Sequence, residues 1–317
     1  MTGDQIRLAS DRLEVVLDPG RGADLLSLVH RASGLDVLFR TPWREHADAV
    51  RAGAEPRTQD PVAGWLERYR GGWQVNCPNA GPPRSVHGAP VGFHGEANRA
   101  AWDVLESGPA SARLSVELFS VPVRIDREVV VAGGTVTVTD TLTNRSDVGL
   151  EVDYVAHPAF GGEFLRSGVT VELDGGRFVS DPDSTATVIA PGTRHTWPSA
   201  TDRDGTRLDL SDVPAEGTHR EVFGWLEELP TAAVTLVSRG TGLAATLTWD
   251  GRRLPYAWLW QELEATAGFP WYRRARALAV EPASTPTSGP DRPTLALAAR
   301  ESVALPVSIT LSERTAS

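Results

Sequence analysis

His157 and Glu281, two residues whose side chains can exchange protons, each stand near the end of a segment of alternating polarity. Over residues 150–157 the alternation places His157 on the face opposite to Leu150 and Val152, as in a β-strand. Glu281 shares its face with Ala277 and Ala279, small residues that leave room beside it. A histidine and a glutamate form a natural acid–base pair, so the pattern indicates catalytic proton transfer at two strand ends.

A third group of residues, Phe93-His94-Gly95-Glu96-Ala97, strengthens this hypothesis, because a single histidine or glutamate at a strand end is more often structural. Together with residues 72–81 (GWQVNCPNAG), His157-Pro158 and Glu281-Pro282, these residues resemble the aldose 1-epimerase, or galactose-mutarotase-like, family. Residues 18–28 resemble the family's opening strand pair, and residues 140–144 the strand that precedes its acid histidine. The resemblance covers nearly the whole chain. It implies an all-β fold, a large antiparallel β-sandwich of the supersandwich type, in one domain over residues 1–317.

The resemblance also implies the catalytic roles. Glu281 would be the base at the anomeric hydroxyl of a sugar, and His157 the acid at the ring oxygen. His94 would hydrogen-bond the ring oxygen or a neighbouring hydroxyl and stabilise the developing charge. Such a reaction moves only protons, so it predicts neither a metal nor a cofactor, and the expected partner is a small-molecule sugar.

Sugar binding requires hydrogen-bonding groups and flat apolar faces. The candidate partners for sugar hydroxyls are Asn79, Gln74 and Gln261, and Arg99 is a further candidate because it follows His94 by five residues. Ten tryptophans against four tyrosines is a skew that suits stacking on a pyranose, with Trp73, Trp258, Trp260 and Trp271 near the motifs. For any one of them a place in the core is the commoner role.

Two questions about charged binding residues stay open in the sequence. The family usually places a substrate-binding aspartate between its second histidine and its base, and here Asp202, Asp204, Asp209 and Asp212 compete for that role. The arginines of residues 273–276 have the chemistry to bind a phosphate, although a solvated basic patch is the more ordinary interpretation.

Composition excludes several other classes. The chain has 317 residues with 41% hydrophobic and 23% charged residues, as in an ordinary globular protein, and its net charge of −10 disfavours nucleic acid and anionic membranes. There is no lysine, which rules out Schiff-base catalysis and a Walker lysine. One cysteine allows no intrachain disulfide, and we find neither a signal peptide nor an apolar run of about 18 residues. We therefore expect a cytoplasmic protein.

The chain alternates like a β protein almost throughout, with turns marked by Gly, Pro, Asn and Asp. Short helices are predicted over residues 43–53 and 61–69, and long loops over 192–217 and 282–293. The predicted strands are 12–18, 113–119, 123–131, 135–142, 148–157, 169–173, 233–237, 243–249, 256–261, 276–281 and 302–311. Short connections between alternating strands favour antiparallel pairing.

Two other functions are compatible with these residues. A cupin-type metal enzyme is suggested by His87, His94 and Glu96, although cupins usually present two histidines one residue apart. A non-catalytic carbohydrate-binding or sensing protein could use the same sandwich, because a fold does not fix a function. The identity of the sugar, its anomer, any phosphate or sulfonate on it, and the oligomeric state are left open by the sequence.

Overall fold

The computed structural model describes residues 5–50, 57–286 and 292–314. Its described helices are α1 (Arg44–Ala49), α2 (Pro61–Leu66) and α3 (Glu163–Arg166). The helix predicted over 43–53 is confirmed for six residues, its last three predicted positions lying outside the described ranges, and the one predicted over 61–69 begins as predicted and ends earlier. No helix in the described ranges is long and apolar enough to cross a membrane.

Strands dominate the described chain. In chain order they are β1 (Ile6–Ala9), β2 (Leu13–Asp18), β3 (Asp24–His30), β4 (Leu35–Asp36), β5 (Trp73–Asn76), β6 (Arg84–Val86), β7 (Ala89–Val91), β8 (Asp103–Ser107), β9 (Ser111–Glu117), β10 (Val123–Ala132), β11 (Thr135–Asn144), β12 (Leu150–Val152), β13 (Val155–Gly161), β14 (Val169–Glu172), β15 (Arg177–Ser180), β16 (Arg194–Thr196), β17 (Ser199–Thr201), β18 (Arg207–Asp209), β19 (Asp212–Val213), β20 (Arg220–Glu227), β21 (Ala233–Ser238), β22 (Leu243–Trp249), β23 (Tyr256–Leu263), β24 (Arg276–Ala283), β25 (Leu295–Leu297) and β26 (Ser302–Glu313).

Two large antiparallel sheets organise these strands. The first has eleven strands in the order β1-β2-β3-β5-β13-β24-β23-β20-β15-β16, with β4 added beside β3. The second has nine strands in the order β19-β14-β21-β22-β26-β11-β10-β9-β8. Three two-stranded ribbons, β12-β25, β17-β18 and β6-β7, lie outside these sheets. The predicted all-β antiparallel sandwich is therefore confirmed.

The main hydrophobic core lies between the two large sheets. Val75, Leu278 and Val280 contribute to it from the first sheet, and Ile125 and Ile309 from the second. The alternation that buries these residues turns their neighbours on β24 to the opposite face of the first sheet. That outer face carries its own apolar cluster, which contains Ala277 and Ala279.

Most predicted strands are present, with small shifts of their ends. The segment predicted as one strand over 148–157 is divided between β12 and β13, which belong to different sheets. At the division, the backbone N–H of Asp153 donates to the carbonyl of Pro78 and that of Tyr154 to the Ser284 hydroxyl. Residues 192–217, predicted as a loop, also contain the short strands β16, β17, β18 and β19.

Candidate active site

His157 and Glu281 face each other across two neighbouring strands. In the antiparallel pairing of β13 with β24, Val155 lies opposite Ala283 and Ala159 opposite Ala279. His157 and Glu281 lie midway between these pairs, on the face of the first sheet that points away from the main core. Their nearest atoms, Nε2 of His157 and Oε1 of Glu281, are 3.5 Å apart. The structure thus brings together the two residues predicted to act as acid and base.

This pair is buried and incompletely hydrogen-bonded. His157 is 5% exposed and Glu281 1% exposed, while Nδ1 of the histidine and Oε2 of the glutamate have no hydrogen-bond partner. Burial lowers the pKa of His157 to about 4 and raises the pKa of Glu281 well above its ordinary value. Both shifts favour the uncharged forms, so the empty pair holds one titratable proton in total between the two pKa values. Buried polar atoms without partners are rare, and here they are available to a ligand.

His94 comes to the same place on a tight turn. Its φ is 59° and that of Gly95 is 83°, and a Cβ at Gly95 would lie 2.4 Å from the carbonyl oxygen of Cys77. Only glycine therefore fits after His94. The backbone N–H of Gly81 donates to Nδ1 of His94 over 3.0 Å. Because an amide N–H can only donate, Nδ1 carries no proton, and the neutral ring carries it on Nε2.

The environment keeps the His94 ring neutral. Burial, with a smaller contribution from His157, lowers the pKa of His94 well below its ordinary value. The two imidazole rings are 5.8 Å apart between centroids. His94 is therefore a fixed hydrogen-bond donor beside the acid–base pair, and it is poorly suited to be a charged acid.

These three residues line a cavity of about 370 Å³ with predominantly aromatic walls. The sheet supplies Phe223, Trp258 and Trp260, and the turn after β23 supplies Trp271, whose ring lies 5.6 Å from that of Trp260. Three of the four tryptophans predicted near a sugar, Trp258, Trp260 and Trp271, thus line the cavity. Flat apolar faces with few polar groups are typical of a pocket that orients a small ligand.

The opposite wall comes from α2 and the residues after it, which sequence reasoning did not assign to a site. Trp65 stacks on Tyr69 with ring centroids 4.6 Å apart, and the Tyr69 ring lies 6.0 Å from that of His157. The Tyr69 hydroxyl is buried without a hydrogen-bond partner. Burial, and then the charges of Glu281 and Asp24, raise the pKa of Tyr69 well above its ordinary value. Tyr69 is therefore a neutral donor available inside the cavity.

A third wall is acidic. Asp181, Asp183, Ser184 and Glu221 line the cavity at this side. None of the four aspartates considered from the sequence, Asp202, Asp204, Asp209 and Asp212, lines it. Asp202 and Asp209 accept hydrogen bonds from nearby backbone N–H groups in turns, and Asp212 pairs with Arg239. Asp181 and Asp183 are better placed for the role because they line the cavity, in the turn that follows β15.

The five residues predicted to bind sugar lie outside the cavity lining. Trp73 and Gln261 point to the core side of their strands, and Oε1 of Gln261 accepts from Arg220 over 2.8 Å. Gln74 lies opposite His157 in the sheet, but its amide donates to the buried Asp24 over 2.8 Å. Arg99 is exposed on a turn.

Asn79 acts on the site indirectly. Its amide nitrogen donates to the carbonyls of Pro82 and Gly92 over 2.9 and 3.0 Å, and its oxygen accepts from Arg84 over 2.8 Å. These bonds fix the turn that carries Gly81, the backbone partner of His94. Asn79 therefore positions the turn that holds His94 and does not itself line the cavity.

The residues that suggested a cupin are not arranged as a metal site. His87 is exposed at the surface, with Nε2 within hydrogen-bond distance of the Glu151 backbone. Glu96 accepts a hydrogen bond from the backbone N–H of Ser120 over 3.0 Å. Within the described ranges, no group of three or more His, Cys, Asp or Glu residues is placed to hold a metal ion.

Comparison with known proteins agrees with this architecture. The profile of the family described as "Domain of unknown function (DUF4432)" matches residues 3–296. A search of curated proteins finds no match.

Several solved structures share the fold. Slr1438 from Synechocystis sp. PCC 6803 is 17% identical with a TM-score of 0.71, over 99% of this chain and 98% of that one. A galactose mutarotase-like protein from Lactobacillus casei ATCC 334 is 18% identical with a TM-score of 0.68, over 98% and 100%. The GalM/aldose epimerase homologue from C. elegans is 17% identical with a TM-score of 0.68, over 98% and 99%. The predicted resemblance is confirmed for the fold, which is galactose-mutarotase-like.

Proposed function

The chain belongs to the DUF4432 family, and from that premise we propose that it is an aldose 1-epimerase, or mutarotase, which interconverts the α and β anomers of a sugar. The observation that carries the proposal is the His157–Glu281 pair, with 3.5 Å between Nε2 and Oε1 in a buried aromatic cavity. The solved structures of the same fold include proteins described as mutarotase-like, which supports this reaction class.

The reaction requires one proton to leave the anomeric hydroxyl while another reaches the ring oxygen, as the C1–O5 bond breaks. In the assignment we propose, the single proton of the pair first moves from Glu281 to His157. The Glu281 carboxylate then accepts the first proton and the His157 imidazolium donates the second. The open aldehyde then rotates about C1–C2, and the two groups exchange roles as the ring closes on the other face. A pair that holds one proton in total meets this requirement in either direction, and each positioned group typically contributes ~10²–10⁴-fold.

The neighbours of the pair supply orientation and charge stabilisation. His94 presents Nε2–H and Tyr69 its hydroxyl, both as neutral donors for a sugar oxygen on which negative charge develops. Trp258 and Trp260 offer faces for the apolar side of a pyranose. His157 and Glu281 are 5% and 1% exposed, and the low polarity of this environment strengthens each of these hydrogen bonds.

The proposal is tested by following freshly dissolved pure anomers of several aldoses by polarimetry or NMR, with and without the protein. We expect faster interconversion for at least one sugar, retained after exhaustive dialysis against EDTA. His94→Gln should lower the rate strongly, and His87→Gln, outside the cavity, serves as its matched control. Saturable sugar binding without any acceleration would contradict the epimerase proposal and favour the sensing protein. Activity that is lost to EDTA and restored by one metal would instead favour the cupin type.

A further inference from the structure

His157 has a polar neighbour on each side within the first sheet. The strand order β5-β13-β24 places its strand between the strand of Gln74 and the strand of Glu281. Gln74 lies directly opposite His157 in the register of β5 with β13, and side chains of opposed residues share one face, with Cβ atoms about 4.5–5.5 Å apart. Gln74 is 4% exposed and does not line the cavity. It is therefore a buried neighbour of His157 on the side opposite to Glu281.

The two ring nitrogens of His157 have different surroundings. Nε2 is 3.5 Å from Oε1 of Glu281, whereas Nδ1 is buried without a hydrogen-bond partner. A protonated Glu281 can donate to Nε2 only if that nitrogen carries no proton, and the neutral ring then carries its proton on Nδ1. A buried Nδ1–H without an acceptor is costly. Proton transfer from Glu281 to His157 therefore requires an acceptor on the side of Nδ1.

Asp24 determines which end of the Gln74 amide can serve as that acceptor. Nε2 of Gln74 donates to Oδ2 of Asp24 over 2.8 Å. Because a carboxylate only accepts, this bond turns the NH₂ group towards Asp24 and leaves Oε1 as an unused acceptor. Burial raises the pKa of Asp24 to about 7, against the opposing effects of the Gln74 amide and of Arg70, whose Nη2 is 3.7 Å away. At pH 8 the carboxylate is therefore mainly ionised.

Other groups near Nδ1 are less suitable acceptors. The backbone carbonyl of His157 itself has a raising effect on the histidine pKa that is smaller than that of burial, and it does not reach hydrogen-bond geometry with Nδ1. Asn76, on the same face as Gln74, uses Oδ1 to accept from Asn98 over 3.1 Å and retains a free donor. The Tyr69 hydroxyl lines the cavity, where it is available to a sugar. The position of Gln74 opposite His157 thus gives its Oε1 a role.

We propose that Gln74, held by Asp24, is a positioning residue for His157. Its Oε1 accepts the Nδ1–H of the neutral imidazole, which keeps Nε2 free to take the proton of Glu281, and it stabilises the imidazolium that results. The two atoms fall just outside hydrogen-bond geometry, so a small rotation of the Gln74 side chain or one bridging water completes the contact. The inference rests on the proposed function, because it concerns the proton that His157 exchanges.

The test reads the position of the proton directly. Protein labelled with ¹⁵N-histidine is measured by long-range ¹H–¹⁵N NMR at pH 8, where His157, with a pKa of about 4, is neutral. The signals of His157 are identified by their absence from His157→Asn. We expect the wild type to carry the proton on Nδ1. Gln74→Leu should shift the population towards Nε2–H and lower kcat about 10- to 100-fold with little change in KM, because the lost bond stabilises a charged group and does not touch the sugar.

Matched variants separate this role from a general loss of buried amides. Gln261→Leu removes a buried glutamine from the core side of the same sheet, and Tyr69→Phe removes the rival acceptor; both should leave the proton on Nδ1. Exchanging the two groups, Asp24→Asn with Gln74→Glu, should restore the Nδ1–H form. It should also move the acid limb of kcat/KM above that of the wild type, because a negative charge then adjoins the imidazole.

A wild-type His157 that carries its proton on Nε2 overturns the inference, and this result does not depend on the folding of any variant. A folded Gln74→Leu protein with an unchanged Nδ1–H signal overturns it as well. Anomer exchange by a protein with the Nε2–H form would leave the epimerase proposal standing. An Nδ1–H form that depends on Gln74, in a protein without any anomer exchange, would remove that proposal and leave the contact between Gln74 and His157.

Discussion

Two buried pairs, each of a basic and an acidic side chain, differ in how completely they are hydrogen-bonded: Arg127–Asp140 in the core and His157–Glu281 in the cavity. In the core, Arg127 donates from Nε and Nη2 to both oxygens of Asp140 over 2.7 Å each, and from Nη1 to the Ala23 carbonyl over 2.7 Å. Tyr154 adds a hydrogen bond to Asp140 over 2.9 Å. In the cavity, His157 and Glu281 are 3.5 Å apart and each retains an atom without a partner. Both pairs are buried, so burial alone does not distinguish structure from function.

The difference teaches that unmet hydrogen-bonding capacity points to a function only in a residue that lines a cavity, because Asp24 and Asn76, outside the cavity lining, also retain an atom without a partner. A buried ion pair with every nitrogen and oxygen used stabilises one arrangement, and removing a partner is costly. A buried pair with unused atoms costs stability in the empty protein and is available to a ligand. Substitutions in the cavity pair are therefore expected to change the rate of anomer exchange, and substitutions in the core pair the free energy of unfolding.

The largest effect is expected at the cavity pair. His157→Asn removes the group that gives and takes a proton at the ring oxygen, so kcat for anomer exchange should fall by about 10²-fold or more. Sugar binding measured by calorimetry should change far less, because the aromatic walls remain. His87→Gln is the control at an exposed histidine outside the cavity. A His157→Asn variant with nearly normal kcat would show that the pair is not the proton-transfer machinery.

Substitution in the core pair, Arg127 and Asp140, should lower the free energy of unfolding. Asp140→Asn leaves the Arg127 charge buried without its counter-charge, so the free energy of unfolding should fall by about 3–5 kcal/mol. Denaturant unfolding followed by tryptophan fluorescence gives this value. Glu14→Gln, which breaks the exposed pair with Arg7, should cost at most about 1 kcal/mol. A small loss for Asp140→Asn, with anomer exchange abolished in the folded protein, would move this pair to the functional class.

The alternation of polarity in the sequence predicted well to which face of its strand a side chain points. It predicted less well which residues of different strands come together. Alternation correctly placed Glu281 beside Ala277 and Ala279, and it also separates Gln261 from Trp258 and Trp260, so Gln261 could have been excluded from the outset. Alternation likewise separates Trp73 from Gln74, because the two are adjacent in β5 and point to opposite faces, so both could not line one cavity.

Other parts of the site leave no local signal. Tyr69 reaches His157 only because α2 folds over a sheet whose strand β13 lies more than 80 positions later in the chain. Asp181 and Glu221 meet through the pairing of β15 with β20. Such contacts depend on topology, which alternation within one strand cannot encode. The motif resemblance supplied that missing information for His94, His157 and Glu281, and none for the acidic wall.

A smaller effect is expected for the Tyr69 hydroxyl. Tyr69→Phe keeps the stacking on Trp65 and removes one donor, which is worth about 0.5–1.5 kcal/mol, so kcat/KM should fall about 2- to 10-fold. Tyr272→Phe, at an exposed tyrosine beside the cavity residue Trp271, is the matched control. If Tyr69→Phe raises kcat/KM or leaves it unchanged, the unpartnered hydroxyl does not contact the transition state.

The pH dependence sharpens the comparison further. Between the His157 pKa of about 4 and the raised pKa of Glu281 the pair holds one proton. Acid adds a second proton and removes the base, and alkali removes the last proton and with it the acid. The profile of kcat/KM should therefore be bell-shaped, with an acid limb near pH 4. An acid limb near 6.5, the ordinary value for histidine, would show that burial does not control the pair.

The most direct measurement follows anomer exchange and unfolding on the same samples of wild type and Glu281→Gln. The account predicts that exchange, measured by NMR saturation transfer, is at least about 10²-fold slower in the variant. It also predicts that the variant is at least as stable at neutral pH. Because the pKa of Glu281 is raised in the folded state, the wild type loses stability as pH rises from 4.5 towards that pKa, and glutamine does not. Near-normal exchange in Glu281→Gln, or slow exchange that only tracks a loss of folded protein, would contradict the assignment of this buried pair to catalysis.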